Sequence, residues 1–107
     1  MKIDQNIQFN SDNKLIHFLN IENLSAEHIY EILELADKVK TKSLEGKTIA
    51  SLFFEPSTRT KTTFELASKR LGADFINIDI ANSSTLKGES VLDMIKTLEA
   101  MQCSMFI

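Results

Sequence analysis

Ser57, Thr58, Arg59 and Thr60 stand in a row behind Glu55 and Pro56, three hydroxyls beside one guanidinium. A set of that kind binds an anion. Hydroxyls donate to phosphate oxygens, and an arginine presents a fixed fork that engages two of them at once. The run follows an apolar, β-rich stretch (48–54) and precedes one of helical character (64–71), so it sits at a strand-to-helix turn. Orphan N–H groups at the helix start, together with its dipole, add to the attraction for negative charge. The competing reading is a helix cap by Ser57 or Thr58 with Arg59 solvated, and spacing alone does not separate the two. The glycines of GxxxxGK(S/T) and of GxGxxG are missing, which argues against ATP, GTP or NAD as ligand. A smaller phosphate ester or anhydride fits better.

A second polar loop, 81–90, carries Ser83, Ser84, Lys87 and Glu89 and also leaves the carboxyl end of an expected strand. Ser90 and Asp93 have capping-box spacing, so the next helix starts there and Lys87 projects from a loop next to Gly88. A mobile lysine suits a closing lid. The plainer alternative has the serines forming turns and Lys87 solvated. Glu89 is either a helix-start acid favoured by the dipole or a partner that orients Arg59 or Lys87.

Two such loops must be held at one edge of a rigid scaffold. Residues 1–14 are rich in Asn, Asp and Gln and read as a mobile lead-in, with one domain from 15 to 107. Ser25 offers an N-cap, and Ile29, Ile32, Leu33, Ala36 and Val39 recur at helical spacing over 26–40. A turn ending at Gly46 follows. Then come strand 48–54, helix 64–71, strand 75–80, a helix over about 90–101 and a third apolar segment, 103–107. Near-continuous apolar strands alternating with helices predict an α/β fold with a doubly wound parallel sheet. The chain stops inside that third apolar segment, so the sequence reads as an incomplete domain of a longer protein.

Composition narrows the function classes. With 107 residues, 43% hydrophobic and 25% charged, the chain is of ordinary globular make-up. A net charge of −3 with scattered Lys and Arg leaves no broad basic surface for nucleic acid or an anionic membrane. Cys103 is the sole cysteine, which excludes a disulfide framework and fits a reducing cytoplasm. The amino terminus lacks the apolar run of a secretory signal, and no stretch is long enough to span a bilayer. His17 and His28 have no ligand-type residue at metal-binding spacing and read as structural or solvated. The four methionines and seven phenylalanines fall mostly at expected core positions. No cofactor and no metal is expected.

The residues also carry a resemblance. FFEPSTRTKTTFE (53–65) resembles the carbamoyltransferase signature with its STRT core, and SSTLKGES (83–90) is similar to the lysine-bearing loop of the aspartate-specific members, which ornithine-specific members lack. The likeness runs from about residue 25 to 107. It implies an amino-terminal domain holding carbamoyl phosphate and a second domain holding L-aspartate, giving N-carbamoyl-L-aspartate and phosphate for pyrimidine synthesis. By motif position Ser57, Thr58, Arg59 and Thr60 would hold the phosphate, with Thr60 also near the carbamoyl oxygen and Arg59 neutralising the leaving group. Lys87 would touch both substrates from a neighbouring subunit, implying a homotrimer with shared sites, and Ser84, in preference to Ser83, would contact phosphate. Lys61 stands where many relatives have arginine. The family's carbamoyl-polarising arginine, histidine and glutamine and its aspartate-binding domain would lie beyond residue 107, so little activity is expected of this chain alone. The alternative is a non-catalytic phosphate-binding or subunit-interaction module that keeps the motifs without the chemistry.

Overall fold

The computed structural model describes residues 5–39, 42–80 and 90–107, and the chain divides after Val39 into two compact units. The first opens with α1 (Gln5–Gln8). Phe9 then pairs antiparallel with Leu15 across a turn in which Asn10 Oδ1 accepts from the backbone N–H groups of Asp12 and Lys14, both at 2.9 Å. Gln8 is fully buried. Its Oε1 accepts from the N–H groups of Leu19 at 2.7 Å and Asn20 at 3.1 Å, and its Nε2 donates to Asn20 Oδ1 at 3.2 Å. Composition alone marks this segment as a mobile lead-in; one buried glutamine, its amide making three hydrogen bonds, instead ties Gln8 to residues 19–20.

Helix α2 (Ala26–Lys38) forms as its apolar spacing predicts. Ser25 Oγ accepts from the His28 N–H at 3.2 Å, and His28 Nδ1 accepts from the Ser25 N–H at 3.2 Å, a reciprocal cap with histidine in the usual place of glutamate. Position 40, the expected helix end, lies outside the described residues. The apolar stripe is not core in this chain: no α2 residue is buried, and Leu33 is 57% exposed.

The second unit holds a parallel sheet of β1 (Thr48–Phe53), β2 (Asp74–Asp79) and β3 (Met105–Phe106), in the order β2-β1-β3. Helix α3 (Thr58–Arg70) links β1 to β2, and α4 (Val91–Ala100) precedes β3. The chain steps from β1 outward to β2, then back across β1 to β3. Right-handed crossovers in opposite directions put their helices on opposite faces, which is the doubly wound arrangement. Packing agrees with this. Met94 and Leu98 of α4 join Ala50, Ile80 and Cys103 in a buried cluster, flanked by Leu52, Ile76, Ile78 and Phe106 from one sheet face. Register explains the grouping: Ala50 pairs with both Ile76 and Phe106, and Leu52 with Ile78, so period-2 alternation sends these side chains the same way.

Two expectations need correction here. The helix expected over 64–71 begins six residues earlier, at Thr58. Its first two turns are Thr, Arg and Lys, which carry no apolar period, and threonine is a weak helix former. Nor do the phenylalanines fill the core: none of the seven is fully buried, Phe18, Phe54 and Phe64 are exposed, and so are Met101 and Met105. A three-stranded sheet offers too little area to cover them. Both long helices of this unit end alike. Gly72 donates to Lys69 O and Ala73 to Ser68 O, while Gln102 donates to Glu99 O and Cys103 to Leu98 O. The turn residue is left-handed each time, φ 87° at Gly72 and φ 70° at Gln102.

Candidate functional site at the end of β1

The chain leaves β1 at Phe53 and enters α3 at Thr58, so Thr58, Arg59 and Thr60 form the helix's first turn and Ser57 is its N-cap. Ser57 has φ −140° and ψ 68° and makes no side-chain cap hydrogen bond. This removes the reading in which Ser57 serves as a side-chain cap. Ser90 shows what such a cap looks like in the same chain, its Oγ accepting from the Asp93 N–H at 3.0 Å. No acid stands in the first turn of α3. Among the described residues, no hydrogen bond or ion pair engages the side chains of Ser57, Thr58, Arg59 or Thr60. Ser57 is half-buried and the other three are exposed.

Beside Ser57 lies an open depression of about 370 Å³, lined by Leu52, Phe53, Phe54, Glu55, Ser57 and Ile107. Leu52 N–H donates to Ile107 O at 2.7 Å and Ile107 N–H to Ala50 O at 2.9 Å, so the β1 and β3 exits lie side by side. Between those strands the winding direction reverses, and open α/β sheets take ligands at that crevice. Ser57 is the residue of the 57–60 run that lines the depression, together with the Glu55 carboxylate; the α3 N–H groups without a side-chain cap and the exposed Thr58, Arg59 and Thr60 follow it directly in the chain and are of the types that receive an anion. Sequence reasoning did not single out Phe54 or Ile107 as walls. Their apolar character was legible, but only the strand order puts residue 107 beside residue 52.

The register pairs Phe53 with Asp79, so the segments after β1 and after β2 leave the same end of the sheet. Ser83, Ser84, Lys87 and Glu89 lie outside the described residues. Lys61 is half-buried and His17 exposed. His28 is engaged in the cap of α2 and packs against Phe9 at 4.9 Å, ring centre to ring centre, with the ring planes tilted by 39°. A second depression, about 490 Å³, lies in the first unit among Asn10, Asn13, Asn23, Ser25 and His28. Asn10, Ser25 and His28 are already bonded in turns and caps, and no lysine or arginine lines it. Cys103 is buried and unpaired. Among the described residues, no group of three or more His, Cys, Asp or Glu could hold a metal ion, and no helix is long and apolar enough to cross a membrane.

Comparison with known proteins adds an independent line. Residues 16–107 match the family described as aspartate/ornithine carbamoyltransferase, carbamoyl-P binding domain. The chain is 48% identical over 113 aligned positions to an aspartate carbamoyltransferase catalytic subunit from Vesicomyosocius okutanii, covering 98% of this chain and 35% of that relative. The solved catalytic subunit of M. jannaschii aspartate transcarbamoylase is 38% identical with a TM-score of 0.69, over 83% of this chain and 32% of that one. Aspartate transcarbamoylase from Trypanosoma cruzi, solved with aspartate and phosphate, is 32% identical with a TM-score of 0.70, over 81% of this chain and 31% of that one. The chain thus spans about a third of the length of the relatives it matches.

Proposed function

Because the chain belongs to the aspartate/ornithine carbamoyltransferase family, as a carbamoyl-phosphate-binding domain, we propose that the β1–α3 turn is the phosphate cradle of an aspartate carbamoyltransferase. Ser57, Thr58, Arg59 and Thr60 hold the phosphate of carbamoyl phosphate, Thr60 also reaching the carbamoyl oxygen. Ser84 and Lys87 join them from the loop after β2, with Lys87 touching L-aspartate as well and entering the site of a neighbouring subunit in a homotrimer. The aspartate amine attacks the carbamoyl carbon, a C–N bond forms, the C–O bond to phosphate breaks and the amine proton leaves with the product phosphate. Negative charge grows on the carbamoyl oxygen and on the departing phosphate, so preorganised donors and the Arg59 cation lower the barrier. Aspartate, not ornithine, is supported by the Lys87 loop and by the relatives' specificity. The setting is cytoplasmic pyrimidine synthesis.

One observation carries this reading: at the β1/β3 crevice, a helix start with no side-chain cap stands beside hydroxyls and an arginine unengaged among the described residues. Calorimetric titration of the 107-residue chain with carbamoyl phosphate, inorganic phosphate and N-(phosphonacetyl)-L-aspartate tests it. Saturable one-to-one heat that Arg59→Ala abolishes is expected, with no N-carbamoyl-L-aspartate formed by this chain alone. Absence of binding by all three ligands overturns the cradle.

A further inference from the structure

Among the described residues, the long helices α2 and α4 each have a side-chain cap at their start, and α3 has none. Ser25 and His28 fasten α2, and Ser90 fastens α4. The first turn of α3 has neither a cap bond nor an acid to oppose its dipole. A start left bare in this way frays readily. One contact meets this turn from the other side: the Thr63 hydroxyl donates to the carbonyl of Arg59 at 2.8 Å.

We infer that Thr63 is a positioning residue for the anion cradle, its hydroxyl holding the backbone of Arg59 in the first turn of α3 while leaving that turn's N–H groups open. The inference rests on the cradle reading above and extends it to a residue outside the four-residue run. Its physical basis is a division of labour between the two ends of one helical turn. A conventional cap would satisfy a first-turn N–H group with a serine oxygen and so compete with an incoming phosphate. Thr63 sits four residues after Arg59 and bonds a carbonyl, which a phosphate does not need. Threonine suits the position because its β-branched side chain has few rotamers, one of which brings Oγ1 to the carbonyl one turn back. Arg59 then projects from a fixed backbone point, and less order has to be created when an anion binds.

Back-bonding is common in helices, and α3 and α4 contain other cases: Ser68 donates to Phe64 O at 2.7 Å and Thr97 to Asp93 O at 2.9 Å. Those bonds reach neither an uncapped turn nor a candidate ligand-binding residue. Thr63 is the instance where both conditions meet. Its side chain is exposed, so its replacement leaves the sheet core intact.

The test compares Thr63→Val, which keeps the shape and removes the donor, with Thr63→Ser, which keeps the donor. Backbone amide exchange is followed by NMR, and inorganic phosphate is titrated by calorimetry. In the valine variant the amides of Lys61, Thr62 and Thr63, whose helical bonds close the first turn, are expected to exchange about fivefold faster, while those of Ser68, Lys69 and Arg70 are unchanged. Phosphate affinity is expected to fall by about the same factor, and serine is expected to restore both. Faster exchange with unaltered affinity, or unaltered exchange, overturns the positioning role. If the unsubstituted chain itself ignores phosphate, the cradle reading falls and takes the binding arm with it; the exchange arm then decides whether Thr63 holds the turn. Should Thr63→Val lower the urea midpoint of the whole sheet unit, Thr63→Ala supplies a second donor-free variant to read by the same criteria.

Discussion

Ser57 and Ser90 occupy the same position, the N-cap, in two helices of one small unit, yet only Ser90 uses its hydroxyl there. Replacing each by alanine therefore separates structural from ligand-directed serine within a single chain. Ser90→Ala removes a 3.0 Å bond to the Asp93 N–H and is expected to cost about 1 kcal/mol. With a urea slope of roughly 1–1.5 kcal/mol/M for a domain of this size, the midpoint drops by about 0.7–1 M. Ser57→Ala removes no such bond, and its midpoint should stay within about 0.3 M of the unsubstituted value. Phosphate binding is expected to behave the other way round. A hydrogen bond to a charged group contributes about 1.5–3 kcal/mol, so Ser57→Ala should weaken phosphate by roughly ten- to a hundredfold. Ser90→Ala should leave it within about twofold where the fold is intact. Urea titrations followed by circular dichroism, paired with calorimetry, give both readouts. A stability loss at Ser57 equal to that at Ser90, with phosphate affinity unchanged, would return Ser57 to the role of an ordinary cap.

Three further substitutions test the scaffold. Ser51 is fully buried in β1 with no hydrogen-bond partner for Oγ, so Ser51→Ala should stabilise the chain by about 1 kcal/mol in urea titration, and a loss of stability would show that the hydroxyl has a role. Gln102 holds φ 70° at the end of α4, where glycine is unstrained; Gln102→Gly should raise the thermal midpoint by a few degrees, equivalent to about 0.5–1 kcal/mol, and no change would mean that glutamine is not strained there. Leu98 is one of five buried residues in the cluster beneath α4. Leu98→Ala should cost about 2–5 kcal/mol, enough to lose the cooperative urea transition in a unit with so small a core, and a retained sharp transition would contradict the packing described.

The parts of the fold legible in the sequence were those governed by apolar spacing. Thr48–Phe53, Ala26–Lys38 and Val91–Ala100 each show a period that one backbone conformation satisfies, and their observed limits differ from the expected ones by a residue or two. What escaped was structure held by polar contacts or by tertiary proximity. The start of α3 runs through threonines and lysine without an apolar face, so the helix was visible only from Phe64 onward. Gln8 looks like lead-in, because nothing in composition reveals that its amide matches the N–H groups of Leu19 and Asn20. The phenylalanines misled in the other direction: apolar character shows that a side chain prefers cover, whereas the area of sheet and helix available determines whether it receives any.

At the candidate site the same distinction has a chemical consequence. Residue types in 57–60 announce an anion, but they are equally compatible with a capped helix, and only the backbone at Ser57 separates the two. A serine with its hydroxyl committed to the helix would leave fewer donors for a phosphate. With that hydroxyl unengaged at the crevice between β1 and β3, the turn keeps its first N–H groups and the Ser57 hydroxyl uncommitted. The cost of a bare helix start falls on local stability, offset by the carbonyl contact from Thr63 and by the parallel pairing of β1 on both sides. Central placement of β1 matters for that balance. β1 is paired with β2 through Phe53 and bonded on its β3 side as far as Leu52, which fixes its last residues, so the turn that follows can be open to ligand without being loose.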